Sequence, residues 1–226
     1  MKGVLRFLTL LSVCLLLAAC RPEGVDGPVS YTFSRIVSFL GNDEAGRAML
    51  EFVPQGGGDA VRLSATSGLD TGDRELPVRM LIRYTNDTNE ADASGPVTLL
   101  YAAAVTQGEV ILEWSDRIDR QLPAPVYLYS VAPAGEYIDL RIGLQYTKVK
   151  RTFGLAVVPG TLDSEVPVLC LVNNFDKEPA PSFDRTYYCS FSLRPLLEAR
   201  PDLTKVIFRL DNSNLPDDEF ELTLAR

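Results

Sequence analysis

The stretch E-Y-I-D-L-R-I-G-L-Q-Y-T, residues 136–147, is the clearest strand signal in the sequence. Its apolar side chains recur at every second position, at Ile138, Leu140, Ile142, Leu144 and Tyr146. The residues between them include the polar Asp139 and Arg141. Successive side chains of a strand point to opposite faces, so one face of this stretch is apolar and the other polar. A period of two held over the whole stretch is typical of a half-buried antiparallel strand.

Similar β-rich runs lie on both sides of this strand in the second half of the chain. They occur at 126–131, 152–158, 166–173, 186–193, 204–211 and 219–224. Only 195–200 has a helical composition. Strands at this spacing favour a β-sandwich. The charges and prolines of 116–125 interrupt the pattern upstream, and we place the domain boundary there, which predicts an antiparallel sandwich over 116–226.

The first half of the chain has shorter β-rich runs separated by glycine-containing turns. The runs are 31–40, 48–53, 59–65, 77–85 and 97–105. In the fourth run Val78, Met80, Ile82 and Tyr84 share one face, while arginines occupy the other. Five short strands of this kind predict an OB-like barrel over residues 30–115, so the fold class is all-β.

The amino terminus is typical of an exported lipoprotein. Two basic residues precede the apolar run 8–17, which is too short to span a bilayer, and two alanines then lead to Cys20. This pattern predicts a signal peptide at 1–19, lipid attachment at Cys20 and a tether at 20–29. The alternative is an ordinary cleavable signal with an incidental cysteine. We therefore expect a membrane anchor in the cell envelope, in the outer membrane, with the periplasmic face and the cell surface both open.

The composition argues against nucleic-acid binding and against most enzymes. The net charge is -8, the wrong sign for displacing counterions from phosphates. Histidine is absent, which removes the commonest general base and metal ligand. We predict that the protein is not an enzyme, and we name no catalytic residue, metal ligand or cofactor.

Two local motifs contain carboxylates that can take part in catalysis or metal binding. Asp70-Thr71-Gly72 matches the tripeptide of aspartic proteases, but only one copy is present where two carboxylates are needed. We interpret it as a turn before the next strand. The acidic loop 211–219 lacks the spacing of a calcium-binding EF-hand, so we interpret it as a solvated loop.

Cys170 and Cys189 are the cysteines downstream of the anchor, and they lie on the runs 166–173 and 186–193. If these runs pair as a symmetric hairpin, the two cysteines face each other closely enough for a disulfide. The alternative is two reduced cysteines packed in the core. An exported chain can oxidise them, so both remain open.

Four aromatic residues cluster near the domain boundary and are candidates for ligand binding. They are Trp114, Tyr127, Tyr129 and Tyr137. Exposed together, they would form an aromatic platform for a sugar. Turned inward, they are ordinary residues of a β-sheet core.

The order of these features resembles the NigD-like lipoproteins of Bacteroidetes. The residues that carry the resemblance are G-D-R with V-R-M-L-I-R-Y-T within 72–85, P-V-Y with E-Y-I-D-L within 125–140, and S-F-S-L with V-I-F-R-L within 190–210. The resemblance implies an OB-like domain and a C-terminal β-sandwich, and it supplies no catalytic residues to carry over to this chain. The family takes its name from a bacteriocin operon with a suspected immunity role.

The function we expect is therefore binding from a membrane-anchored position, in bacteriocin immunity or envelope defence. The partner would be an unidentified protein or glycan. A carbohydrate-binding surface lipoprotein is one alternative, and a structural or adhesive envelope protein is another. An immunity protein needs an exposed apolar or aromatic patch, whereas a sugar-binding module needs coplanar exposed rings.

Overall fold

A computed structural model of the protein describes residues 31–119, 125–146, 151–173 and 183–224. The predicted signal peptide 1–19, the lipid-attachment residue Cys20 and the tether 20–29 lie outside the described residues. Residues 31–226 belong to one compact unit. Within the described part of the chain, no helix combines the length and the apolar character needed to cross a membrane.

The first five strands close into a barrel. They are β1 (Phe33–Asn42), β2 (Ala48–Phe52), β3 (Val61–Ala65), β4 (Val78–Thr85) and β5 (Gly95–Ala104). The order around the barrel is β1-β2-β3-β5-β4, and β4 pairs back with β1 to close it. The predicted five-stranded barrel is confirmed, with strand bounds close to the predicted runs.

The alternation of β4 builds the barrel core. Val78, Met80, Ile82 and Tyr84 all point inward and are buried. The hydroxyl of Tyr84 remains satisfied there, because it donates a hydrogen bond of 2.7 Å to a loop carbonyl. The outer face of β4 carries Arg79, which is nevertheless only 3% exposed. This side of the barrel is therefore covered by the rest of the protein.

The remaining strands form one eight-stranded sheet. They are β6 (Thr106–Ile111), β7 (Tyr127–Ala134), β8 (Tyr137–Tyr146), β9 (Phe153–Val157), β10 (Val168–Asn173), β11 (Phe183–Ser192), β12 (Lys205–Arg209) and β13 (Glu219–Thr223). The order across the sheet is β13-β12-β10-β9-β6-β11-β8-β7. Two short helices accompany it, α1 (Asp116–Asp119) and α2 (Arg194–Ala199).

The direction of several strands differs from the predicted antiparallel arrangement. β6 runs parallel to both of its neighbours, β11 and β9, and β10 runs parallel to β12. The sheet is therefore mixed. β6, which no predicted run covers, follows the barrel directly and enters the middle of the sheet, although it lies before the boundary placed at 115/116. An alternating sequence pattern predicts a strand, but it contains no information about which strand lies beside it.

The apolar residues of the sheet share one core, as in a sandwich. On β8, Ile138, Leu140 and Ile142 are each at most 1% exposed, which confirms the alternation read from residues 136–147. They pack in the same cluster as Leu169 of β10 and Phe208 of β12. β6 joins the two halves of the sheet, because its first residues pair with β11 and its last two pair with β9.

Candidate functional site

A buried arginine joins the barrel to the sheet. The guanidinium of Arg79 contacts both carboxylate oxygens of Asp139 on β8, at 2.9 and 2.8 Å. Its other nitrogens donate to the hydroxyl of Ser190 on β11 at 2.8 Å and to that of Ser38 on β1 at 3.0 Å. The ring of Tyr137 packs against the guanidinium at 4.2 Å. We call these five residues the Arg79 cluster.

The carboxylate of Asp139 accepts hydrogen bonds from two members of this cluster, Arg79 and Ser190. Burial raises the pKa of Asp139 above its ordinary value, while the charge of Arg79 and the hydroxyl of Ser190 lower it in part. Ser190 donates to the same carboxylate at 2.5 Å. With two arginine contacts and a serine donor, this acid is engaged in structure and is poorly placed to transfer protons.

The sequence did not reveal this cluster. Arg79 and Asp139 each lie on the polar face of an alternating strand, where a charged residue is normally solvated. Their faces meet only because the barrel packs against β8 and β11. An arginine and an aspartate on two such faces could have indicated the contact only if the packing of the two layers had been known.

Two of the four candidate aromatic residues form an exposed pair. Tyr127 and Tyr129 on β7 are 47% and 48% exposed, with ring centroids 4.8 Å apart and planes tilted by 45°. Both lie over Gly143 of β8. A Cβ at that position would be 3.1 Å from the ring of Tyr129 and 3.3 Å from Cβ of Tyr127. The glycine therefore leaves the space that the pair occupies.

The other two candidates are placed elsewhere. Trp114 is half-buried and packs against a small cluster of Ile118, Ala156 and Val172. Tyr137 is half-buried in the Arg79 cluster. The structure therefore brings Tyr127 and Tyr129 together but does not gather all four residues into one platform.

A groove of about 470 Å³ runs between the barrel and the outer face of the sheet. Arg83 and Tyr101 stand side by side on its barrel wall, because they are directly paired across β4 and β5. Arg141 and Tyr188 stand side by side on its sheet wall, because they are directly paired across β8 and β11. We call this the arginine–tyrosine groove.

The groove is continuous with the exposed tyrosine pair through Arg141. The guanidinium of Arg141 lies 4.7 Å from the ring of Tyr129 and 5.8 Å from that of Tyr188. Arg35 also lines the groove, but it forms an ion pair of 2.6 Å with Asp92. The result is an exposed surface of arginine and tyrosine on a protein of net negative charge.

A second cavity of about 630 Å³ opens on the other side of the Arg79 cluster. Its lining is more apolar and includes Leu40, Pro77 and Leu197. Arg79 and Tyr137 face this cavity, whereas Asp139 lines the arginine–tyrosine groove. The buried ion pair therefore stands between two openings at the contact of barrel and sheet.

Cys170 and Cys189 are both free thiols. The hairpin that would have placed them opposite each other is not formed, because β9 and β6 lie between β10 and β11. Cys189 is fully buried in the core beside Phe191, and burial raises the pKa of its thiol to about 12. Cys170 is half-buried, and burial raises the pKa of its thiol as well.

The two local motifs have structural roles. Asp70 accepts a 2.8 Å hydrogen bond from the backbone N–H of Gly72, whose φ is +61°, and this turn precedes β4. In the acidic loop, the side chain of Asn212 donates to the Asp218 carboxylate at 2.9 Å. Among the described residues, no group of three or more acidic or cysteine side chains is placed to hold a metal ion.

No protein-family model and no curated protein matches the chain. Solved structures do resemble it. A protein of unknown function from Bacteroides vulgatus gives a TM-score of 0.64 at 15% identity, covering 87% of this chain and 91% of the other. A NigD-like immunity protein from Bacteroides caccae gives 0.60 at 14% identity, covering 86% and 93%. A candidate lipoprotein from Bacteroides fragilis gives 0.60 at 13% identity, covering 85% and 98%.

These structures extend over nearly the whole of the described chain. The resemblance to NigD-like proteins drawn from the sequence is therefore confirmed for the fold. Identities near 14% demonstrate shared architecture, and architecture alone does not establish a function.

Proposed function

We propose that the protein is a NigD-like lipoprotein of the cell envelope, anchored through Cys20 in the outer membrane, which acts by binding a protein partner in bacteriocin immunity or envelope defence. It supplies a recognition surface held close to the membrane and performs no chemistry itself. A solved structure with the same fold is that of a NigD-like immunity protein, and another is that of a candidate lipoprotein.

The observation that carries this proposal is the exposed tyrosine and arginine surface on β7, β8 and β11. Tyr127 and Tyr129 expose nearly half of their area, and Arg141 packs against the second of them. Tyrosine and arginine are enriched at protein–protein interfaces and dominate their binding energy. Rigid rings beside a planar cation supply contact area at a low cost in conformational entropy.

Support for binding rather than catalysis comes from the polar groups themselves. The chain contains no histidine, and Asp139 is fully engaged by Arg79 and Ser190. A general acid or base needs a titratable side chain that is free to exchange a proton with substrate. The groove offers cations and aromatic rings, which are groups suited to recognition.

A protein partner is favoured over a glycan by the geometry of the rings. Sugars stack on flat, exposed faces, whereas Tyr127 and Tyr129 are tilted by 45° to each other. Trp114 and Tyr137, which would have extended a platform, are both half-buried. The glycan alternative therefore rests on one tilted pair.

The test is protection of a sensitive Bacteroides strain that expresses the gene. Cells are challenged with culture supernatants from a panel of bacteriocin-producing competitors, and survival is compared with an empty-vector strain. We expect protection by the wild type, loss of protection in Cys20→Ser, and reduced protection in Tyr127→Ala/Tyr129→Ala. Tyr31→Ala, which removes a tyrosine of similar exposure from the segment before β1, is the matched control.

Incorporation of an alkyne-labelled fatty acid measures the anchor separately and should depend on Cys20. Equal survival of the expressing and empty-vector strains over the whole panel would contradict the immunity role. Retention of the purified protein on a polysaccharide, lost in the double tyrosine variant, would favour the glycan alternative instead.

A further inference from the structure

The arginine–tyrosine groove is lined by an arginine and a tyrosine on each of its two walls. We propose that it binds an acidic, extended peptide segment of the partner protein, whose carboxylates pair with Arg83 and Arg141. This inference rests on the proposed function and names the chemistry of its partner. Four observations carry it: the cross-strand register, the unpaired charges, the free edge of β5 and the volume of the groove.

The register places the same pair of side chains on each wall. Arg83 is directly opposite Tyr101 in the β4–β5 pair, and Arg141 is directly opposite Tyr188 in the β8–β11 pair. Directly opposed strand residues have Cβ atoms about 4.5 to 5.5 Å apart, so each arginine stands beside a ring. A chain lying in the groove would meet a cation and an aromatic ring on both sides.

The charges of the groove are unbalanced in the direction that an acidic ligand would satisfy. Among the described residues, neither Arg83 nor Arg141 has a carboxylate within ion-pair distance, whereas Arg35 is already paired with Asp92. Asp139 is the one acidic residue in the lining, and its charge is taken up by Arg79. The chain as a whole has a net charge of -8, so this cationic surface is a local departure from the overall charge.

Arginine is well suited to carboxylates for a geometric reason. Its planar guanidinium presents paired N–H donors that match the two oxygens of a carboxylate. Two such groups on opposite walls of a cleft also steer an acidic ligand toward it and raise its association rate.

The barrel wall offers backbone hydrogen bonds as well. β3 pairs with β5 only over Gly95–Val97, and beyond Val97 the partner of β5 is β4 alone among the described residues. Alternate residues of an antiparallel strand direct N–H and C=O groups away from the paired neighbour. Tyr101 lies on this free part of β5 and in the groove, so an extended peptide could pair with β5 while its side chains reach the arginines.

A peptide fits these features better than an acidic sugar does. A cleft of about 470 Å³ accommodates a few side chains, and a free strand edge pairs with another backbone at strand spacing. A sugar would use the arginines but would leave the unpaired edge of β5 without a backbone partner.

The test is fluorescence anisotropy with the purified lipoprotein in a non-ionic detergent. The probe is a fluorescein-labelled peptide of roughly ten residues, about 33 Å when extended, that alternates glutamate with valine. The comparison ligands are the same peptide with glutamine in place of glutamate, and an oligogalacturonate as competitor. The variants are Arg83→Gln/Arg141→Gln, Arg141→Lys, and the control Arg209→Gln, which removes an exposed arginine from β12 at the far side of the sheet.

We expect the glutamate peptide to bind at least about tenfold more tightly than the glutamine peptide, and the double arginine variant to lose at least about tenfold in affinity. Arg141→Lys should bind more weakly than the wild type but more tightly than the double arginine variant, because it keeps the charge at this position but not the paired donors. Arg209→Gln should bind as the wild type does. Circular dichroism and thermal unfolding of each variant establish that it is folded.

Equal binding of the two peptides, or unchanged binding in the double arginine variant, would overturn the inference. If oligogalacturonate displaces the probe at a lower concentration than the unlabelled glutamate peptide does, the groove prefers an acidic glycan, and the inference that its ligand is a peptide is wrong. The protection assay separates the two proposals: full protection by Arg83→Gln/Arg141→Gln would refute the role of the groove and leave the immunity function standing.

Discussion

Replacing Arg79 by methionine removes the cation that joins the barrel to the sheet while keeping most of the volume of the side chain. The change breaks two contacts with Asp139 and one each with Ser190 and Ser38, and it leaves the aspartate buried without its partner. Hydrogen bonds to charged groups contribute about 1.5 to 3 kcal/mol each, so losing these four costs at least about 6 kcal/mol before any compensation. Part of it is offset because the guanidinium no longer has to be desolvated, at several kcal/mol per ion.

The net cost that we expect is about 3 to 5 kcal/mol, which is the range for removing one partner of a buried ion pair. The large size follows from burial: Arg79 and Asp139 have side-chain exposures of only 4% and 16%. Arg62 provides the control, since its ion pair with Glu51 has a 74% exposed arginine side chain. Arg62→Met should cost no more than about 1 kcal/mol.

The loss of unfolding free energy caused by Arg79→Met should be larger at high pH than at low pH. Burial raises the pKa of Asp139, and Arg79 opposes that rise, so the pKa is raised further in Arg79→Met. A carboxyl whose folded pKa exceeds its unfolded value of about 3.9 destabilises the folded state above that pKa. The deficit relative to the wild type should therefore shrink as pH falls through the raised pKa, and it should be smaller at pH 5 than at pH 8.

Urea unfolding followed by circular dichroism measures both effects. The double variant Arg79→Met/Asp139→Asn should be more stable at pH 8 than Arg79→Met alone, since no unpaired charge remains buried. A cost for Arg79→Met no larger than that for Arg62→Met, or a deficit that grows as pH falls, would refute the reasoning.

Three further outcomes follow from other parts of the structure. Cys189 is fully buried, and burial raises the pKa of its thiol to about 12. Iodoacetamide at pH 8 should therefore leave Cys189 unmodified in the native protein and alkylate it in urea. Peptide mass spectrometry measures the extent of modification. Gly143→Ala should cost about 1 to 3 kcal/mol in urea unfolding and alter tyrosine fluorescence, because the new Cβ would lie 3.1 Å from the ring of Tyr129. Hydrogen bonds from Arg47 lower the pKa of Asp43 in the β1–β2 turn. The stability that Asp43 contributes is therefore present above its unfolded pKa and is lost as pH falls through its folded pKa. A carbon NMR titration of this carboxyl should give a midpoint below 3.8.

Local patterns in the sequence predicted most of the strands and the barrel, but no predicted run covers β6 (Thr106–Ile111) or the short helix α1 (Asp116–Asp119). The alternation of β4 and β8 places their apolar residues in two cores, as expected from a period of two. Pairing beyond neighbouring strands was not predictable in the same way. β6 enters the sheet between β9 and β11, and this separates Cys170 from Cys189, although their runs look like a hairpin in the sequence. Strand order is decided by contacts between residues distant in sequence, and the spacing of apolar residues within one strand does not identify those contacts.

The candidate site could be predicted only in part, for the same reason. Tyr127 and Tyr129 belong to the four aromatic candidates named from the sequence, and the structure places these two rings together because alternate residues of one strand share a face. Arg83 and Arg141 were assigned to polar faces, but that they share a groove depends on the packing of the barrel against the sheet. Residues 1–30, which carry the predicted anchor at Cys20, lie outside the described part of the chain, so that prediction still rests on the sequence alone.

The Arg79 cluster and the arginine–tyrosine groove depend on each other through Asp139. This aspartate lines the groove and is the one acid there, yet Arg79 contacts both of its oxygens from the opposite side. The ion pair therefore does two things at once: it fixes the barrel against β8 and β11, and it withdraws negative charge from a surface that otherwise carries Arg83 and Arg141. Without Arg79, an uncompensated carboxylate would face the groove and repel an acidic segment. The arginine that holds the two layers together thus also maintains the positive potential of the surface between them.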